Sequence, residues 1–151
     1  METLPPRILL VDDEKSVRES LYALFEREGY EVLVASDGPD ALSIFRRSVL
    51  PIELLVTDYN MPRMSGLELA RECSRFDSGL KVLYVSGSRP DQELQADLQT
   101  RTRGFLAKPF RGGELMRKTR ELLLMESAKP WFPTRNALGE AVSSSAIQRK
   151  S

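Results

Sequence analysis

Leu54-Leu55-Val56-Thr57-Asp58-Tyr59-Asn60-Met61-Pro62-Arg63-Met64-Ser65-Gly66 decides how the rest of this chain is read. It opens as an apolar run of strand length and delivers one carboxylate, Asp58, where the apolar character stops. Asn60, Pro62, Ser65 and Gly66 follow, all residue types that shape loops. A buried strand ending in an acid holds a carboxylate at the mouth of a sheet. In an open parallel sheet that mouth, at the strand C-termini, is where ligands bind.

Four other segments repeat the pattern. Arg7 to Val11 is a continuous apolar run suited to a strand buried on both faces, and it ends in Asp12-Asp13-Glu14. Ser16 to Glu28 carries Val17, Leu21, Leu24 and Phe25 on one helical stripe, with Gly29 as its C-terminal stop. Glu31 to Ala35 is a second strand, and Gly38-Pro39 opens a second helix with Ala41, Leu42, Ile44 and Phe45. After the central strand, Gly66 to Phe76 reads as a helix. Lys81 to Val85 is a strand ending in Ser86-Gly87-Ser88, where Gly87 belongs to a turn. Arg89 to Thr102 is expected to form a polar helix with few apolar residues, and so one loosely held. Phe105-Leu106-Ala107 is a short fifth strand ending in Lys108-Pro109, and a helix with Leu115, Met116, Leu122 and Leu123 follows. Strand-helix units repeated five times with short connections predict an α/β fold, a parallel sheet covered by helices on both faces.

Composition narrows the chemistry. Lys+Arg and Asp+Glu stand at 22 each, so net charge gives no reason to expect nucleic acid or an acidic membrane as a direct partner. The chain has no histidine and one cysteine, Cys73, which excludes histidine-metal sites, histidine-based triads and internal disulfides. Cys73 reads as a small buried apolar residue in a helix. No apolar run is long enough to span a membrane and the N-terminus is not a targeting sequence, so a cytoplasmic location is expected.

Four of the five expected strand ends carry chemistry: Asp12 and Asp13, Asp58, Ser86, and Lys108. Parallel strands bring these ends to one edge. Carboxylates about 5 Å apart repel by roughly 3 kcal/mol per pair at an effective dielectric of about 20, so the cluster calls for a divalent cation or a proton. Hard oxygen ligands favour Mg²⁺. A carboxylate nucleophile, a metal and a lysine are the equipment for stabilising a phosphoryl group in transfer. Ser36-Asp37, after the second strand, is assigned no role.

Val-Asp-Asp-Glu, Thr-Asp-Tyr-Asn-Met-Pro followed by Ser-Gly, Ser-Gly-Ser, and Phe-Leu-Ala-Lys-Pro-Phe together resemble the receiver domain of two-component response regulators, over about residues 6 to 125. The resemblance implies a flavodoxin-like (βα)5 fold with strand order 2-1-3-4-5, an order for which the chemotaxis receiver is a standard example. It implies Asp58 as phosphoacceptor. Mg²⁺ would be held by Asp13, Asp58 and the main-chain carbonyl of Asn60, with Asp12 acting through water. Ser86 and Lys108 would stabilise the phosphoryl group, with Lys108 pairing with Asp58 before transfer. Lys108-Pro109 is cis in many receivers. Phe105 falls at the aromatic switch position but lacks a hydroxyl. Pro62, Gly66, Gly87 and Pro109 shape the loops.

The implied partners are a sensor histidine kinase or phosphotransfer protein, a downstream protein target, and, after phosphorylation, a second copy of the chain. The expectation is a signalling switch with weak autocatalytic phosphotransfer and autodephosphorylation, not a turnover enzyme. The alternative, an aspartate-nucleophile phosphatase of the haloacid-dehalogenase type, wants Asp-x-Asp after the first strand, whereas Asp12 and Asp13 are adjacent. A nucleotide-binding flavodoxin-like protein would want a glycine-rich loop there, and none is present. Residues 1–126 are expected to form the receiver, stand-alone or part of a larger protein, and 127–151 a tail or linker. In that tail Trp131 and Phe132 would dock on the folded domain, and Asn136 would cap a short helix.

Overall fold

A computed structural model describes residues 4–125. The expected division at 126/127, the docking of Trp131 and Phe132, and the helix after Asn136 lie outside the described residues. The elements alternate: β1 Arg7–Val11, α1 Lys15–Arg27, β2 Glu31–Ala35, α2 Gly38–Arg47, β3 Leu54–Asp58, α3 Gly66–Ser74, β4 Lys81–Ser86, α4 Gln92–Asp97, β5 Arg103–Ala107 and α5 Gly112–Leu124. All four strand pairings are parallel, in the order β2-β1-β3-β4-β5. This is the expected flavodoxin-like sheet. Its order reverses between β1 and β3, which places Asp12 and Asp58 on either side of the switch point.

The continuous apolar strands are explained by helices on both faces. Side chains alternate along β1. Ile8 and Leu10 pack with Leu21 and Phe25 of α1 and with Leu115, Met116 and Leu122 of α5. Leu9 and Val11 face Ala41 of α2, Leu67, Leu69 and Cys73 of α3, and Leu94 of α4. Cys73 is fully buried, as its helical setting predicts.

Local signals set the helix ends. Gly29 follows α1 with φ +94°, a conformation open to glycine. Asp37 caps α2 by accepting from the Asp40 amide, so the segment with no assigned role turns out to start a helix. Ser65 and Glu68 form a reciprocal capping box at α3.

The largest difference from expectation is α4. It spans six residues rather than Arg89 to Thr102. Pro90 stands just outside it, Asp91 caps it through the Leu94 amide, and tighter turns take over after Leu98. Nor is it loosely held. Leu94 is fully buried, and polar side chains from the loop after β3, from β4 and from β5 fasten both its ends.

Candidate functional site

The strand register assembles the site. Val11 pairs with Thr57, Asp58 with Val85, and Ser86 with Ala107, so the residues at or just past these ends meet along one edge. Carboxylate oxygens of Asp12, Asp13 and Asp58 all lie within 4.8 Å of one another. Asp12 is buried and Asp13 exposed, so the cluster runs from the sheet to solvent.

Asp12 is held on two sides. Its Oδ1 accepts from the Glu14 amide at 2.9 Å, and its main-chain oxygen accepts from Arg18 Nη1 at 2.8 Å. Its Oδ2 faces Lys108 Nζ at 3.3 Å, while Asp58 Oδ1 stands 3.6 Å from the same nitrogen. The expected pairing of Lys108 with Asp58 is therefore shared, with the shorter contact to Asp12. Burial is the reason, since Asp12 is the more enclosed carboxylate and needs the countercharge more. The Lys108-Pro109 bond is cis, as expected.

The electrostatics follow from this crowding. Burial raises the Asp58 carboxyl to about 6, with Asp12 and Asp13 adding to the rise and Lys108 opposing it. Burial would lower the Lys108 ammonium, but the Asp12 and Asp58 carboxylates carry it above the ordinary lysine value. Three oxygen-only acids beside one ammonium still carry excess negative charge. That donor set fits a hard divalent ion such as Mg²⁺.

The surrounding backbone is fixed tightly. Tyr59 N donates to Val85 O at 2.9 Å, and Gly66 N to Tyr59 O at 2.8 Å. A β-carbon at Gly66 would stand 2.5 Å from Asp58 O, so this glycine is required by space. Pro62 O accepts from Met64 N at 2.8 Å across a turn in which Arg63 has φ 72°. Gly87 differs. It is exposed, has no positive φ, and a β-carbon there meets nothing within 4 Å, so neither space nor backbone conformation demands glycine.

Ser86 is buried, and its Oγ accepts from Ser88 N at 3.0 Å and from Asn60 Nδ2 at 3.3 Å. Asn60 also reaches Ser88 Oγ. Phe105 is half-buried beside Tyr84, its partner across β4 and β5. Sequence reading missed Arg18, the Asp37–Arg63 ion pair and the tyrosines Tyr59 and Tyr84. Asp37-Gly38-Pro39 is a readable capping signal. Arg18, by contrast, reaches back six residues to a main-chain oxygen, which no pattern of residue types reveals.

Comparison with known proteins agrees with this geometry. The family model of the response regulator receiver domain matches residues 8–120. "Response regulator MprA" of Mycobacterium sp. (strain KMS) is 36% identical over 120 residues, covering 80% of this chain and 51% of that protein. The chain thus spans about half the length of the curated relatives it matches. Among solved structures, Vibrio cholerae chemotaxis protein CheY4 superposes with a TM-score of 0.71 at 25% identity, covering 78% of this chain and 98% of that one. Thermotoga maritima response regulator TrrA, solved in complex with Mg²⁺ and BeF, gives 0.66 at 32% identity, with the same coverage.

Proposed function

The chain belongs to the response-regulator receiver family and to phosphorelay signalling, and on that premise we propose that Asp58 is the residue phosphorylated. The receiver match replaces the phosphatase alternative. One observation carries the assignment of Asp58: of the two clustered acids that face Lys108, Asp12 is enclosed, with its other oxygen taken up by the Glu14 amide, whereas Asp58 ends the central strand as the more open carboxylate. In the reaction a carboxylate oxygen of Asp58 attacks phosphorus. The bond from phosphorus to the donor breaks, and the donor, an imidazole of a histidine kinase or phosphotransfer protein, leaves with the electron pair and takes up a proton. Hydrolysis reverses the modification when water attacks phosphorus and the Asp58 oxygen leaves.

Asp13, Asp58 and the Asn60 carbonyl would hold Mg²⁺, with Asp12 reaching it through water. The metal supplies neutralisation of charge on the transferring oxygens. Lys108 contributes a positive charge beside Asp58, and Ser86 would contribute a hydroxyl donor. The chain acts as a switch with weak self-catalysed transfer and not as a turnover enzyme. Its output is a protein contact, to a downstream target or a second copy, with no direct contact to nucleic acid. A cytoplasmic setting belongs to this reading, and no helix among the described residues is long and apolar enough to cross a membrane.

Borohydride reduction of the phosphorylated protein, followed by peptide mapping, tests the assignment. Conversion at position 58 is expected. Conversion at Asp12 or Asp13 would overturn it.

A further inference from the structure

Phe105 has no hydroxyl, but Tyr84, its partner across β4 and β5, has one, as does Tyr59, whose ring meets that of Tyr84, and both reach α4 or its cap. Tyr59, the residue directly after Asp58, donates its hydroxyl to Asp91 Oδ2 at 2.8 Å. The other oxygen of Asp91 caps α4 through the Leu94 amide at 2.9 Å. Tyr84, fully buried on β4 two residues before Ser86, donates to Asp97 Oδ2 at 2.6 Å, and Asp97 is the last residue of α4. Arg103 Nε reaches the same oxygen at 3.1 Å, while its terminal nitrogens anchor on Leu80 O and Ser74 Oγ. The two tyrosine rings meet edge to face at 6.3 Å. A six-residue helix with one fully buried apolar side chain is thus fastened at each end by a tyrosine hydroxyl.

We infer that Tyr59 and Tyr84 are positioning residues that clasp α4 in the unphosphorylated arrangement and thereby set how readily Asp58 is phosphorylated. This rests on the proposed role of Asp58. The route runs through Ser86, whose Oγ accepts from the Ser88 amide. When that hydroxyl turns to donate to a phosphoryl oxygen on Asp58, the Ser88 contact is given up. The segment from Gly87 to Pro90 is then free to follow, and Asp91 leaves Tyr59. Contacts made only in the unphosphorylated arrangement oppose phosphorylation by their own free energy, and by linkage phosphorylation must weaken them in return.

The test uses the full chain with Mg²⁺ and beryllofluoride as the phosphoryl mimic. Binding is followed by ¹⁹F NMR for wild type, Tyr59→Phe, Tyr84→Phe and the double variant. Each single change is expected to tighten beryllofluoride binding roughly 3–10-fold, and the double variant more. Amide exchange of residues 94–98 in the free protein should quicken about tenfold or more, with α1 and α5 unchanged. A merely structural role would leave the affinity unchanged or weaken it, and either result overturns the inference. Tyr59 is partly exposed, so its variant decides the matter if Tyr84→Phe fails to fold. Failure of wild type to bind beryllofluoride would overturn the Asp58 reading and the coupling with it. Wild-type binding with no gain in the variants would overturn the coupling alone.

Discussion

The Lys108 ammonium stands 3.3 Å from Asp12, closer than its 3.6 Å approach to Asp58. It is therefore the countercharge of the buried acid before it can serve any phosphoryl group. Lys108→Ala removes that countercharge and also a cation competing for the acid cluster. Without Mg²⁺ the variant should lose about 1–3 kcal/mol of stability, a figure reduced for the partial exposure of Lys108. Mg²⁺ binding should be intact or tighter. Denaturant melts with and without Mg²⁺, together with a metal titration, check both. Much weaker Mg²⁺ binding would contradict this role of Lys108.

Asp58 makes stability depend on pH. Its folded value of about 6 lies above the ordinary 3.8, because burial and then Asp12 and Asp13 outweigh Lys108. The folded state therefore holds its proton more tightly than the unfolded chain. The resulting stabilisation is full below about pH 4 and is lost as pH rises to about 6. Above that, ionised Asp58 is a cost of about 1–2 kcal/mol after allowance for screening. Asp58→Asn should raise stability at pH 7.5 by that order and flatten the fall between pH 4 and 6. Melts of both proteins across this range decide it.

The alternation of apolar strands and striped helices was enough to read five βα units, and polar residues at four strand ends were enough to locate the site edge. The strand order 2-1-3-4-5 came with the family resemblance, and the sheet has it. The pairing of Ser86 with Ala107 and the nearness of Asp12 to Lys108 are products of register. No local pattern encodes register. The sequence misled at α4 because it was judged by apolar content alone. Its attachment is polar, made by hydroxyls of Tyr59, just past β3, and Tyr84 of β4. Gly66 and Gly87 look alike in sequence, yet the packing requires the first and leaves the second in open space.

That difference gives a direct comparison. Gly66 begins α3, where helix propensity alone would favour alanine by about 1 kcal/mol. The 2.5 Å approach to Asp58 O reverses the sign. Gly66→Ala should destabilise by about 1–3 kcal/mol net and slow phosphorylation by shifting the Asp58 main chain. Gly87→Ala should stay within about 0.5 kcal/mol of wild type. Chemical denaturation of the pair checks this.

Arg18 holds the acid loop by donating to Asp12 O at 2.8 Å. Its loss frees the main chain that presents Asp12 and Asp13. Arg18→Ala should weaken Mg²⁺ binding roughly 3–10-fold, about 1 kcal/mol for one hydrogen bond, while Arg18→Lys should recover part of it. Calorimetric titration of Mg²⁺ into the three proteins reads the effect. Equal affinities would show that the loop holds itself.

The central claim is that this receiver carries its phosphoryl group on Asp58. Wild type and Asp58→Asn are each incubated with Mg²⁺ and acetyl phosphate, and their intact masses are measured. One added phosphoryl group on wild type, absent from Asp58→Asn, is the predicted result. Equal phosphorylation of the two proteins would contradict it.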